Sequence, residues 1–141
     1  MDSVTISLDG KPVKVTKGKT VLQAAIEHGV DVPYYCYHPG LGVDGSCRVC
    51  IVKIEKMAKL QTACSTVCTE GMVISTNTPD VVEARASVFE FLLVNHPLDC
   101  PVCDKGGECP LQDFSYAFGN DESRMDFPRR TFDGEGVKAD V

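Results

Sequence analysis

The sequence predicts an α+β protein made of two small units, an N-terminal unit ordered strand, strand, helix, loop, strand, strand and a C-terminal helical unit. Three observations carry this. Apolar and polar residues alternate across residues 4–15, a capped helical pattern begins at Thr20, and a longer helical pattern begins at Thr78-Pro79. The length agrees, since 141 residues make one ordinary domain or two small ones.

Val4, Ile6 and Leu8 alternate with polar residues, Asp9-Gly10 is a two-residue turn signal, and Val13 and Val15 alternate on the return, so the chain opens on a hairpin. Gly18 marks a second turn. Thr20 reads as a helix N-cap with Gln23 three residues on, the pattern of a capping box. Val21, Leu22, Ala25 and Ile26 supply the apolar face, and Gly29 fits the position past the helix end. His28, in the last turn, reads as a helix-end or surface histidine. Residues 32–46 are rich in Pro, Gly, Tyr and His without periodicity and read as loop. Strands are expected over residues 49–54, 60–63 and 72–75. The second helix starts with Thr78 as cap and Pro79 at its first position and runs to about residue 95. Its expected apolar face is Val82, Ala86, Phe89 and Leu93, widened by Val81, Val88 and Leu92. A short third helix is expected over 111–118. A polar stretch follows that includes Gly119, Gly134 and Gly136.

Composition limits the function classes. The chain is 43% hydrophobic and 24% charged, but it has no tryptophan and only 7% aromatic residues. Units of roughly 60 to 80 residues with so few large apolar groups usually need a metal or disulfide staple. Eight cysteines could supply either. The start lacks a basic segment followed by an apolar run, and no stretch approaches the roughly 18 apolar residues of a membrane span. A cytoplasmic protein is therefore expected, where cysteine groups mean metal more often than disulfide. A net charge of −6 argues against a nucleic-acid partner. It reads as a solvated surface, with docking of a basic partner as the sharper reading.

The cysteines fall into two constellations. Cys36, Cys47, Cys50 and Cys64 read C-x10-C-x2-C-x13-C. A [2Fe–2S] cluster needs four thiolates around two irons, the short pair lets one turn offer two sulfurs, and Gly40, Gly42 and Gly45 let backbone approach closely. Arg48, between two ligands, reads either as a tuning charge or as a solvated arginine. A four-cysteine zinc site is the rival, although zinc sites usually pair two short knuckles. Cys68 is left over and reads as a small buried hydrophobe, with a ligand role open to it if Cys64 has none. His96, Cys100, Cys103 and Cys109 read H-x3-C-x2-C-x5-C. Pro97 stops the long helix at His96, and Gly106-Gly107 lets the chain fold back so that Cys109 meets the other two. On spacing alone, His96 is a ligand or a helix-end histidine in equal measure. A Cys3His zinc site, or a [4Fe–4S] cluster with Cys68 as fourth ligand, are the rivals. Imidazole in place of thiolate removes one negative charge, which acts to raise a cluster's potential.

Taken together, segment 96–113, HPLDCPVCDKGGECPLQD, resembles the histidine-containing cluster motif in the large iron–sulfur subunit of respiratory complex I (NADH:quinone oxidoreductase). Segment 36–50, CYHPGLGVDGSCRVC, resembles the N-terminal [2Fe–2S] loop of that subunit. Related subunits of NAD-linked hydrogenases, formate dehydrogenases and electron-bifurcating enzymes share the module. The resemblance spans about residues 4–130. It implies a β-grasp [2Fe–2S] ferredoxin-like domain over 1–78, a small helical [4Fe–4S] domain over 79–120, and a polar tail or truncated next segment over 121–141. It also implies His96 as a ligand and Cys64 in preference to Cys68. In those relatives a further cysteine run follows, and this sequence has no ninth cysteine. Onward clusters would then come from a partner.

The expected role is an electron-relay subunit. It would carry single electrons to or from a flavin- and NAD-binding partner, beside further cluster-bearing or catalytic subunits, with a peripheral place on a membrane complex left open. The sequence holds no G-x-G-x-x-G after a strand, no P-loop and no nucleophile–base–acid set, so the chain is not expected to be a catalyst alone. A structural zinc module and a free-standing ferredoxin-like shuttle are the alternatives.

Overall fold

The structure, a computed structural model, describes residues 2–130. Gly134 and Gly136 of the expected tail lie outside the described residues. Strands β1 (Ser3–Leu8) and β2 (Lys11–Thr16) form the opening hairpin, with Leu8 paired to Lys11 and Ser3 to Thr16. Asp9 and Gly10 both have positive φ, 48° and 80°, the twist that a two-residue hairpin turn needs. Asp9 does more than turn the chain. Its carboxylate accepts the Thr76 N–H at 2.7 Å and the Thr76 hydroxyl at 2.6 Å, which fastens the hairpin tip to a distant strand end.

Helix α1 (Val21–Glu27) has the expected capping box: the Thr20 hydroxyl accepts the Gln23 N–H and the Gln23 side chain accepts the Thr20 N–H. Val21, Leu22, Ala24 and Ala25 are buried, and Gly29 leaves the helix at φ +68°. The loop expected over 32–46 holds a separate two-stranded sheet, β3 (Tyr37–His38) against β4 (Gly42–Val43). Pairs this short leave no periodicity to read. Strands β5 (Ile51–Ile54), β6 (Gln61–Thr62) and β7 (Val73–Ser75) complete a five-stranded sheet ordered β2-β1-β7-β5-β6. The β1–β7 pair is parallel and the rest are antiparallel. Ile6, Leu8, Leu22, Val52 and Ile74 form the core between this sheet and α1, with Cys50, Cys64 and Cys68 in the same cluster. The sheet with its packed helix is the expected β-grasp arrangement.

Helix α2 (Pro79–Leu93) begins with Thr78 extended and Pro79 in the first turn, as expected, although the Thr78 side chain makes no capping bond. Its buried row keeps Val81, Ala86 and Phe89 of the expected face and adds two charged residues. Val81, Arg85, Ala86, Phe89 and Glu90 are buried, whereas Val82 is 45% exposed and Leu92 38%. The helix is turned so that Arg85 reaches the carbonyl oxygens of Ile51 (2.8 Å) and Thr76 (3.1 Å) at the sheet end, and Lys53 of β5 pairs with Asp80 at 2.7 Å. Those polar anchors fix a face that apolar periodicity could not. A short 3-10 turn (Cys100–Val102) and helix α3 (Pro110–Phe118) follow. Residues after α3 return to α2. Arg124 bonds the buried Glu90 carboxylate through its side chain at 2.6 and 2.9 Å, and Arg129 donates to the carbonyls of Leu93 (2.7 Å) and His96 at the open helix end. No described helix is long and apolar enough to cross a membrane.

Candidate metal centres

The first four cysteines arrive from three directions. Cys36 follows α1 in the 32–46 loop, Cys47 and Cys50 end that loop at β5, and Cys64 follows β6. Backbone bonds hold the pieces in register: Ala63 N–H donates to the Cys50 carbonyl at 2.8 Å, and Asp44 N–H to the Cys36 carbonyl at 3.1 Å. The Cys64 N–H points at the Cys50 sulfur at 3.4 Å. Burial opposes ionisation of Cys36, but N–H groups of Cys47, Gly45 and Ser46 and the Cys47 side chain outweigh it and hold the thiol below its ordinary range. Successive amides on one sulfur make an anion nest. Gly45 at φ +80° and Arg48 at φ +58° supply the backbone reversal it requires. Arg48 is exposed and donates to the Gly45 carbonyl at 3.3 Å, so it braces the loop.

Cys64 behaves oppositely. Burial first, then Cys50, Cys36 and Cys47, push its thiol up to about 12. Cys64 therefore feels the other three sulfurs, and as a free thiol beside them it resists ionisation. Cationic iron would remove that conflict, so this donor set fits a cluster. Cys68 lies in the hydrophobic core, where burial alone raises its thiol, and its N–H donates to the Lys19 carbonyl at 2.9 Å.

The second group is built on a tight loop between α2 and α3. His96 lies just past α2, Cys100 opens the 3-10 turn, and Cys109 sits at the N-cap of α3. Cys103 N–H donates to the Cys100 carbonyl (3.3 Å), and Gly106 N–H to the Cys103 carbonyl (2.9 Å). A Cβ on Gly106 would sit 2.6 Å from the Cys100 carbonyl oxygen and 3.1 Å from that of Cys103, so only glycine closes this loop. Gly107 follows at φ +87°. His96, Cys100, Cys103 and Cys109 all line one cavity of about 250 Å³, walled by Leu93, Leu111 and Tyr116. A tetrahedral zinc site would gather its sulfurs to roughly 3.8 Å from one another. Among the described residues, no three His, Cys, Asp or Glu side chains are grouped to hold a single ion. Four donors lining one cavity are the donor set that a [4Fe–4S] cluster would need.

Tyr35, to which the sequence pattern assigns no role, joins the two groups. It precedes Cys36, its hydroxyl donates to the carbonyl of Pro110 next to Cys109 (3.1 Å), and its ring packs on Phe114 and Phe89 at 5.4 and 6.3 Å between centroids. A tyrosine in an aperiodic loop gives no sequence signal for such a contact.

Comparison with known proteins follows the same division. Residues 1–79 match the family described as 2Fe-2S iron-sulfur cluster binding domain, and residues 85–124 match the NADH-ubiquinone oxidoreductase-G iron-sulfur binding region. The mitochondrial NADH dehydrogenase [ubiquinone] iron-sulfur protein 1 of Solanum tuberosum is 51% identical over 130 residues, 92% of this chain and 18% of that protein. The NADH-ubiquinone oxidoreductase 75 kDa subunit of Reclinomonas americana is 46% identical over 134 residues, 95% of this chain and 19% of its own length. The chain thus spans less than a fifth of these relatives. A chain of an NAD+-reducing [NiFe]-hydrogenase superposes with a TM-score of 0.81 at 32% identity, over 92% of this chain and 56% of that one.

Proposed function

The chain belongs to the 2Fe-2S iron-sulfur cluster binding domain family, and from that premise we propose that it relays single electrons inside an NAD(H)-linked oxidoreductase complex. Cys36, Cys47, Cys50 and Cys64 would hold a [2Fe–2S] cluster, and His96, Cys100, Cys103 and Cys109 a [4Fe–4S] cluster. When bound, such clusters take up and release one electron at a time and leave substrate bonds untouched. The observation that carries the reading is the cavity lined by all four donors of the second group. The protein's own part is to fix the donors and aim amides at sulfur, as the 45–47 amides do at Cys36.

The partner supported by this reading is a flavin- and NAD-binding subunit, with further cluster-bearing or catalytic subunits beyond it. It rests on the relatives, which are named as NADH dehydrogenase or NADH-ubiquinone oxidoreductase proteins or come from an NAD+-reducing hydrogenase. A cytoplasmic site of action goes with it. Electron paramagnetic resonance of the reduced, anaerobically purified protein tests the cluster assignment. Two distinct signals are expected, and Cys103→Ser should remove one and keep the other. A colourless protein containing zinc would replace this reading with a structural module. Migration of the native protein as a lone small monomer would favour a shuttle, and co-purification with a flavoprotein the relay subunit.

A further inference from the structure

Arg85 is a charged side chain in the wrong place. The residue is 2% exposed, at the junction of α2, the sheet end and α3. Its Nη2 donates to the carbonyl oxygens of Ile51 (2.8 Å) and Thr76 (3.1 Å), and its guanidinium lies over the Phe118 ring, 5.1 Å from the centroid. Its Nε has no acceptor. Among the described residues it makes no ion pair with a carboxylate. Burying a cation without a counter-charge is unfavourable, and two neutral carbonyls offset only part of that. The carboxylates that act on it electrostatically are those of Asp31 and Asp9, and both Asp9 oxygens are already taken by Thr76. Its closest acceptor, the Ile51 carbonyl, belongs to the residue that directly follows Cys50, so the guanidinium is anchored beside the first cysteine group.

We propose that Arg85 is the internal counter-charge of the first cysteine group, a buried cation whose electrostatic partner is the negative cluster that Cys36, Cys47, Cys50 and Cys64 would hold. The inference rests on the cluster assignment above. Four thiolates leave such a cluster with net negative charge, and reduction adds one more electron without a proton to balance it. A fixed positive charge in a low-dielectric interior favours the reduced form over the oxidised one. Arg85 is thus a tuning residue: it raises the potential of the first cluster and touches no donor sulfur. Bulk salt screens a buried charge weakly, so the effect persists at high ionic strength.

The test is a redox titration of the whole chain with both clusters loaded, followed by electron paramagnetic resonance, for the native protein, Arg85→Lys and Arg85→Gln. Glutamine keeps a donor for the carbonyls and loses the charge; lysine keeps the charge. The expected result is a fall in the first cluster's midpoint potential in Arg85→Gln, native-like behaviour in Arg85→Lys, and an unmoved second cluster as internal reference. Loss of the first cluster in Arg85→Gln alone, with Arg85→Lys loaded, also supports the proposal. Unchanged potential in Arg85→Gln, an equal shift in both variants, or loss of the cluster in both, overturns it in favour of a packing role. Absence of any [2Fe–2S] signal in the native protein would instead defeat the cluster assignment, so the two failures are told apart.

Discussion

Gly106 shows how finely the second site depends on one residue. A methyl there meets two carbonyl oxygens of the loop that presents Cys100 and Cys103. Gly106→Ala is expected to lose the [4Fe–4S] signal and keep the [2Fe–2S] signal, as iron analysis and electron paramagnetic resonance would read. Retention of both would mean that the loop opens at little cost. Cys68 makes the contrasting case. Cys68→Ala removes a buried sulfur from the core and should cost about 1 kcal/mol of stability, with iron content unchanged. Loss of the [2Fe–2S] signal in that variant would transfer the ligand role from Cys64 to Cys68. The C-x2-C pairs were legible as metal-binding patterns because thiolate chemistry places donors at short spacings, whereas His96 and the preference for Cys64 over Cys68 leaned on the family resemblance. Arg85 and Tyr35 were not legible, since their roles depend on where α2 and α3 come to rest.

Among the elements, the start of α1 was readable to the residue, because capping is a local code in which Thr20 and Gln23 satisfy each other's N–H groups, although Ile26, expected on its apolar face, is exposed and Ala24 is buried instead. Thr20→Ala should cost about 1 kcal/mol in a urea unfolding curve; no change would mean that tertiary bonds such as Val21 N–H to the Thr66 carbonyl carry the helix start. The face of α2 was read in part: Val81, Ala86 and Phe89 are buried as expected, but the anchoring by Arg85 and Glu90 was not legible and leaves Val82 and Leu92 outside. Two ion pairs pin that helix. Lys53 holds the exposed Asp80 carboxyl down at about 2. A depressed carboxyl contributes stability above its ordinary titration range and loses it only as pH falls toward the lowered value, so this pair is constant near neutrality. It is also exposed, and salt should screen it. Arg124 binds Glu90, whose side chain is 4% exposed and which is held below the usual carboxylate range by that arginine. Arg124→Ala should therefore lower Tm more than Lys53→Met does, and Glu90→Gln in the Arg124→Ala background should restore part of the loss. Equal small effects from both single variants would show that the Glu90 pair is dispensable.

At the scale of the whole molecule, the two units meet through Tyr35 and Arg85, while Arg124 and Arg129 return onto α2 within the second unit. Cys50 and Cys64 sit inside the hydrophobic core, so the first site and the fold are coupled. The order of strands and helices was legible from periodicity and turns. The β3–β4 pair and the anchoring of residues 124 and 129 were not, because two-residue strands and long-range arginine bonds leave no local pattern. Removing iron with a chelator should melt the β-grasp unit, seen as loss of its circular dichroism signal on mild heating; a fold indifferent to iron would show that the core stands without it. The most direct measurement is iron and acid-labile sulfide per chain in anaerobically purified protein. One [2Fe–2S] and one [4Fe–4S] cluster give about six of each, and that is the expected result. A preparation with neither iron nor sulfide, or with zinc in their place, would contradict it.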